Sequence, residues 1–248
     1  MKTLLAGLLL AAALGCSSKE GDRVTESKRP ALMAASIPPI DAAAPAKVET
    51  ATFALGCFWC PDAQFGVLPG VVRTRVGYCG GTLKDPTYHE LGDHTESVQV
   101  DYDPAKMTFV QLLDRIWESH NPCGVGGKSR QYMSAIFYHD EEQKKAVEAS
   151  KGRVEEKLGQ TVKTRILPLG KFYWAEDYHQ KYELRCNEAL IKEFTVIYPN
   201  ARDLANSTAA ARVNGYIAGK GSLEQLKLEI DQLGLSPEGK KQLQLFVR

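Results

Sequence analysis

Cysteine is scarce, with six residues in a chain of 248, four of them between positions 57 and 123. That density excludes a disulfide-stapled scaffold, and the uneven placement points to chemistry rather than stapling. Neither sign of charge is in excess, with 31 Lys and Arg against 30 Asp and Glu. So balanced a chain has no electrostatic case for binding nucleic acid. The apolar run from Leu4 to Leu14 is shorter than the ~20 residues that cross a bilayer. No second C-x-x-C and no H-x-x-x-H accompanies Cys57 and Cys60, so a zinc site would have only half its ligands. His89 and His94 fall in an expected loop, where solvent-exposed histidines are commoner than ligands. No metal is expected. No internal repeat is visible.

The N-terminus reads as a targeting signal. Lys2 supplies a positive charge, the apolar run follows, and Ala13-Leu14-Gly15-Cys16 places small residues before a cysteine. This resembles a bacterial lipobox, so residues 1–16 are expected to be a lipoprotein-type signal with Cys16 lipidated. Ser17 is not the acidic residue associated with inner-membrane retention. The expectation is an exported envelope protein, outer-membrane anchored and facing the periplasm. Residues 17–47 are rich in Ser, Lys, Glu, Ala and Pro and have no aromatics. Such a stretch cannot bury enough surface to offset its ordering entropy, and it reads as a flexible tether.

Structured sequence begins near Glu49. Residues 49–55 read as a strand, 59–68 as a helix with Pro61 in its first turn, and 71–78 and 97–102 as alternating strands. Thr108 with Gln111 forms a capping box, and Phe109, Leu112, Leu113, Ile116 and Trp117 keep helical spacing behind it. Residues 134–139 read as a strand, Asp140 caps a charged helix to about Leu158, and 162–168 is a further strand. The order β-α-β-β-α-β predicts an α+β two-layer sandwich with a split βαβ, ferredoxin-like core. An irregular aromatic segment and helices extend it, one capped by Ser222, another opening at Ser236-Pro237. The domain reading is a catalytic domain over 48–205 and a helical C-terminal extension over 206–248.

Cys57 lies between a strand and a helix. Helix N-terminal amides favour a thiolate, so this placement can make a nucleophile. A buried structural cysteine is the competing reading. Gly56 permits a tight turn, and Phe58 and Trp59 could wall an apolar pocket or simply pack in the core. Cys60 completes a C-x-x-C, the spacing of thiol–disulfide exchange.

These residues open a longer pattern. Gly56-Cys57-Phe58-Trp59 resembles the signature of the A-type peptide methionine sulfoxide reductases. The resemblance runs through Gly77-Tyr78-Cys79-Gly80-Gly81, Pro86-Thr87-Tyr88, Gly92-Asp93-His94-Thr95-Glu96, Tyr102-Asp103-Pro104 and Trp117-Glu118-Ser119-His120. It continues through Arg130-Gln131-Tyr132-Met133-Ser134 and Ala175-Glu176-Asp177-Tyr178-His179-Gln180, covering roughly 50–200 in the family's order. The family repairs one sulfoxide epimer of methionine.

The resemblance implies roles. Cys57 would attack the sulfoxide sulfur and be left as a sulfenic acid. Glu96, kept protonated by a desolvated pocket, would donate to the sulfoxide oxygen, and Tyr78 and Tyr132 would hydrogen-bond the same atom. Phe58 and Trp59 would hold the ε-methyl group. No cofactor is bound in such a scheme; an external thiol reductant, a thioredoxin-fold protein, restores the enzyme. Oxidised methionine in proteins or peptides is the partner, the state monomeric. Many family members resolve the sulfenic acid with cysteines in a glycine-rich tail, but no cysteine follows Cys186 here. The candidates for that role are Cys186, then Cys60, then Cys79. Gly127 stands where common members carry an acidic residue five positions before Tyr132, so one hydrogen bond in the site is missing or replaced. Two competing functions are a thiol–disulfide oxidoreductase using Cys57 and Cys60, and a non-catalytic binder of oxidised methionine.

Overall fold

The sheet is built by alternation. In the computed structural model, which describes residues 36–124 and 129–247, six strands lie in the order β5-β4-β1-β3-β2-β6. They are β1 (Glu49–Leu55), β2 (Val71–Cys79), β3 (Thr95–Tyr102), β4 (Ser134–Tyr138), β5 (Arg165–Pro168) and β6 (Tyr173–Trp174). β3 pairs antiparallel with both β1 and β2. β1 and β2 therefore run parallel with β3 between them, joined by helix α2 (Trp59–Gly66). That is the split βαβ. β4 pairs antiparallel with β1, β5 adds in parallel and β6 antiparallel at the two edges.

A short helix, α1 (Pro39–Ala42), precedes the sheet, and α3 (Phe109–Glu118) and α4 (Glu141–Leu158) flank β4 in sequence. The capping box at Thr108 and Gln111 forms in both directions, and Asp140 accepts from Gln143 N–H at the start of α4. The apolar stripe of α3 meets Phe53, Val98 and Val100 of the sheet and Phe65 of α2 in the main core. Phe53 and Phe65 meet edge to face at 4.6 Å. Ala54, Cys79, Ala135 and Phe137 form a second cluster with Met133.

After β5 come β6, two single 3₁₀ turns (Asp177–His179 and Ile230–Gln232) and six α-helices that form a bundle. Its members are α5 (Tyr182–Arg185), α6 (Glu188–Ile197), α7 (Ala201–Asn206), α8 (Thr208–Ile217), α9 (Leu223–Glu229) and α10 (Pro237–Gln244). Ser222 and Ser236 cap as expected, and Leu226, Ile230 and Leu233 share one buried core. α8 packs directly on α2. A Cβ at Gly215 would lie 2.5 Å from Ala63 O, and one at Gly66 2.9 Å from Ala211 O. The two helix backbones therefore touch where only glycine fits. Arg212 donates to the Gly66 and Val71 carbonyls. The described residues thus form one compact unit, with no break near 205.

The expected tether is too long. Its end, residues 39–42, is helical, and Asp41 accepts from Tyr198 Oη at 2.6 Å, Ser207 Oγ at 2.7 Å and the Thr208 and Ala209 amides. This one carboxylate, capping α8, and the packing of Ile40 on the core of the C-terminal helices together supply the ordering energy. Residues 1–35, including Cys16, and Gly127 lie outside the described residues. Among the described residues no helix is long and apolar enough to cross a membrane.

Candidate active site

β1 ends at Leu55, and Gly56 turns the chain at φ +86°. The turn puts Cys57 half-buried immediately before α2, where the Trp59 and Cys60 amides point at its sulfur. Those amides lower the thiol's pKa, but burial acts more strongly in the opposite direction, and the charges of Glu96 and Cys60 add to it. The net effect pushes Cys57 above its ordinary value. The expectation of a thiolate favoured by the helix end is corrected: desolvation outweighs two amides of a short helix.

Glu96, on β3, is buried and reaches the same turn. Its Oε2 accepts from Phe58 N–H at 3.0 Å and its Oε1 from Gln131 Nε2 at 2.8 Å. Burial raises its pKa, more than these two bonds lower it. The Tyr132 hydroxyl lies within electrostatic reach of Glu96, Cys57 and Tyr88, and burial together with these neighbours pushes it up to about 12. It stays protonated, with its proton on the neutral Tyr88 hydroxyl rather than on a carboxylate, a weaker bond to exchange for a ligand. Cys57, Glu96 and Tyr132 are thus brought together.

Phe58 is buried, its ring 5.9 Å from Tyr78 and 5.0 Å from His179. Trp59 donates through Nε1 to His179 Nδ1 at 3.3 Å and stacks on Tyr182 at 3.7 Å, the planes within 7°. Together with Tyr88, which lies 4.7 Å from His179, these rings make an aromatic wall beside the sulfur. Such a wall suits a methyl thioether group.

Tyr78 behaves differently from the expectation. Its hydroxyl donates to Glu176 Oε2 at 2.7 Å, and Glu176 Oε1 accepts from Tyr88 N–H at 2.9 Å. A phenol has one proton to give, so in this state Tyr78 has none for a ligand. Glu176 and His179 sit in the Ala175–Gln180 run, whose pattern is legible in the sequence without any indication of what each residue touches.

Of the three candidate resolving cysteines, burial sets one apart. Cys79 is fully buried, its thiol pushed up to about 12 by burial, and it contacts Ser97 Oγ at 3.1 Å. Adjacent strand residues point to opposite faces, so Cys79 faces away from the side that Tyr78 occupies; it is removed from the candidates. Cys60 is exposed and close enough to Cys57 to raise it. Cys186 is exposed one turn beyond Tyr182, whose hydroxyl contacts the Cys186 thiol and also feels the charge of Cys57. His94 is not in solvent: it is buried, with Nδ1 accepting from Gly81 N–H at 3.2 Å and Nε2 on Leu83 O at 2.8 Å. Among the described residues no cluster of three His, Cys, Asp or Glu could hold a metal.

The family model for peptide methionine sulfoxide reductase matches residues 49–211. The chain belongs to this family. A second model, the helical domain of selenoprotein methionine sulfoxide reductase A, matches residues 199–244, which span α7 to α10. A peptide methionine sulfoxide reductase of Drosophila melanogaster is 43% identical over 189 residues, 76% of either chain. Peptide methionine sulfoxide reductase A5 of Oryza sativa is 42% identical over 182 residues, 71% of either chain. The reduced form of Mxr1 from Saccharomyces cerevisiae superposes with a TM-score of 0.54 at 31% identity, covering 58% of this chain and 88% of that one. The protein is therefore an A-type oxidoreductase acting on methionine sulfoxide.

Proposed function

We propose that the protein reduces methionine-S-sulfoxide, in proteins or as the free amino acid, through a sulfenic acid on Cys57, and so repairs oxidised exported proteins. Cys57 sulfur attacks the sulfoxide sulfur while Glu96 gives its proton to the oxygen, assisted by Tyr132. The new S–S bond and the substrate's S–O bond both break as methionine leaves, reduced by two electrons. The oxygen, with its proton, ends on Cys57 as Cys–SOH. Phe58 and Trp59 hold the ε-methyl group, so the oxygen of one epimer alone faces Glu96. Tyr78 is committed to Glu176 in this state and joins only by exchanging that bond.

Cys186 then attacks the sulfenic sulfur. A Cys57–Cys186 disulfide forms, and the hydroxyl leaves with the thiol's proton as water. An external dithiol of thioredoxin-fold type reduces the disulfide and takes up its own two-electron oxidation. The observation that carries the reading is the buried Glu96 carboxyl, tied to the amide beside Cys57 at 3.0 Å. Anchoring through Cys16 would put this chemistry at the outer membrane, facing the periplasm, with the protein acting as a monomer.

The test is single-turnover reduction of both epimers of a methionine sulfoxide peptide by the pre-reduced full chain, beside Cys57→Ser. One methionine per chain from the S epimer alone, absent in the variant, is expected. Turnover of disulfides but not of sulfoxide would transfer the assignment to Cys57–Cys60 exchange. Sulfoxide binding that survives in Cys57→Ser without any turnover in the parent would make it a binder. Labelling of Cys16 by palmitate, lost in Cys16→Ser, tests the anchor.

A further inference from the structure

The segment carrying Cys186 is a single turn, too short to hold itself in place. What holds it is buried and polar. Lys181, fully buried, spends its three ammonium protons on Asp62 Oδ1 at 2.9 Å, Thr74 O at 2.7 Å and Thr74 Oγ1 at 3.0 Å. Its backbone, at φ +56°, turns so that the Lys181 amide also donates to Asp62 Oδ2 at 3.1 Å. Asp62 is fully buried too, and Asn214 Nδ2 approaches its Oδ2 at 3.5 Å. Asn214 Oδ1 in turn accepts from Leu184 N–H at 3.1 Å. On the preceding residue, Gln180 Oε1 accepts from Val76 N–H at 3.0 Å and its Nε2 donates to Val76 O at 2.8 Å.

A buried ion pair is seldom worth more to stability than apolar side chains of the same volume, so its value lies in what it orients. Here the orientation is specific. Asp62 lies three residues after Trp59 on α2, so the two share a face. Asp62 takes Lys181, and Trp59 takes the ring of the next residue, Tyr182. The Cys186 amide closes on Tyr182 O at 2.9 Å, which fixes the thiol one turn from that stack. Asn214 comes from α8, whose Gly215, with Gly66 of α2, lets it lie against α2.

We propose that the buried Asp62–Lys181 pair, clamped by Asn214 from the C-terminal bundle, positions Cys186 to close the disulfide with Cys57. These are positioning residues; none meets the sulfoxide. The bundle's part in the reaction is to hold the recycling arm, and this rests on Cys186 being the resolving thiol.

The test separates the two turns of the cycle in the full, pre-reduced chain without external reductant. Methionine released per chain reports the first turn. Alkylation quench and peptide mass mapping report the rate of Cys57–Cys186 closure. Lys181→Met and Asn214→Ala are expected to release one methionine per chain as the parent does, with closure slowed at least tenfold. Because Lys181→Met leaves Asp62 charged and unpaired, the doubly neutral D62N/K181M guards against misfolding. It removes the buried charge along with the clamp and is expected to close as slowly. Closure within twofold of the parent in the folded double variant would overturn the positioning role alone. A Cys57–Cys60 disulfide in the parent would remove the Cys186 assignment and this proposal together.

Discussion

Glu96→Gln perturbs the site with almost no change of shape. The glutamine oxygen can still accept from Phe58 N–H, where Glu96 Oε2 now lies at 3.0 Å. Its NH2 group would then face the Gln131 NH2, which now donates at 2.8 Å. A turn of the Gln131 amide restores that bond. What is lost is the transferable proton. Removing a general acid costs about 10²–10⁴-fold, or roughly 3–5 kcal/mol of barrier at ~1.36 kcal/mol per decade. The charge is lost as well. Because the Glu96 carboxylate raises the Cys57 thiol, the variant's thiol should titrate lower even as turnover collapses.

The pH dependence follows with its sign. Attack needs Cys57 deprotonated, which rising pH favours, and Glu96 protonated, which rising pH removes. Both groups are raised, from ordinary values of 9.0 and 4.5, and the carboxyl remains the more acidic of the two. The population holding both correct states then climbs until Glu96 titrates, is level, and falls once Cys57 titrates. In Glu96→Gln the alkaline fall should vanish, leaving one rise centred on the lowered thiol. The assays are single-turnover methionine release across pH and the pH profile of Cys57 alkylation. A rate within threefold of the parent, or an alkaline fall that persists, would refute the acid role.

The two tyrosines should part company. Tyr132→Phe removes a hydroxyl beside Cys57 and Glu96 and should cost about 10²–10³-fold in kcat, the scale of one donor to a developing oxyanion. Tyr78→Phe should cost less than about tenfold on that scale, since its proton serves Glu176 at 2.7 Å; equal losses would mean that Tyr78 turns to the ligand. Gly215→Ala reverses the usual helix preference, which favours Ala by about 1 kcal/mol. A methyl 2.5 Å from Ala63 O and Val67 Cβ overpacks the α2–α8 contact, and a loss of about 1–3 kcal/mol by urea denaturation is expected; a rise in stability would show that the helices part freely. Asp41→Ala removes the acceptor for Tyr198, Ser207 and the first amides of α8. It should cost about 1–3 kcal/mol and lower Tm by a few degrees; an unchanged Tm would make the docking of α1 incidental.

How legible these features are depends on the range of the forces behind them. The plait is local arithmetic: alternation in residues 71–78 and 97–102, helical spacing behind Thr108, and a capping box whose partners lie three residues apart. The position of Cys57 at a strand-to-helix turn is local too. Its pKa is not. The amides of Trp59 and Cys60 are sequence neighbours and push down, while desolvation and Glu96, thirty-nine residues away in the chain, push up and win. Residues 39–42 misread for the same reason, since a single carboxylate reaching Ser207 leaves no hydrophobic pattern. Cys79 was a different kind of error. Tyr78 and Cys79 are adjacent on one strand and cannot both face the same site, which parity alone could have decided. The clamp behind Cys186 draws one residue each from α2, β2, α5's leading edge and α8.

That distribution bears on how the site works at neutral pH. Burial penalises charge on Cys57 and Glu96 separately, and each negative charge penalises the other. The pocket therefore favours holding one proton between thiol and carboxyl over losing both. Moving that single proton from sulfur to carboxyl creates the nucleophile and the acid in one step, without changing the pocket's net charge. A site arranged this way does not need a thiol acidic in its own right. It needs an apolar wall and a carboxyl close enough to share the proton, which Phe58 and its tie to Glu96 supply.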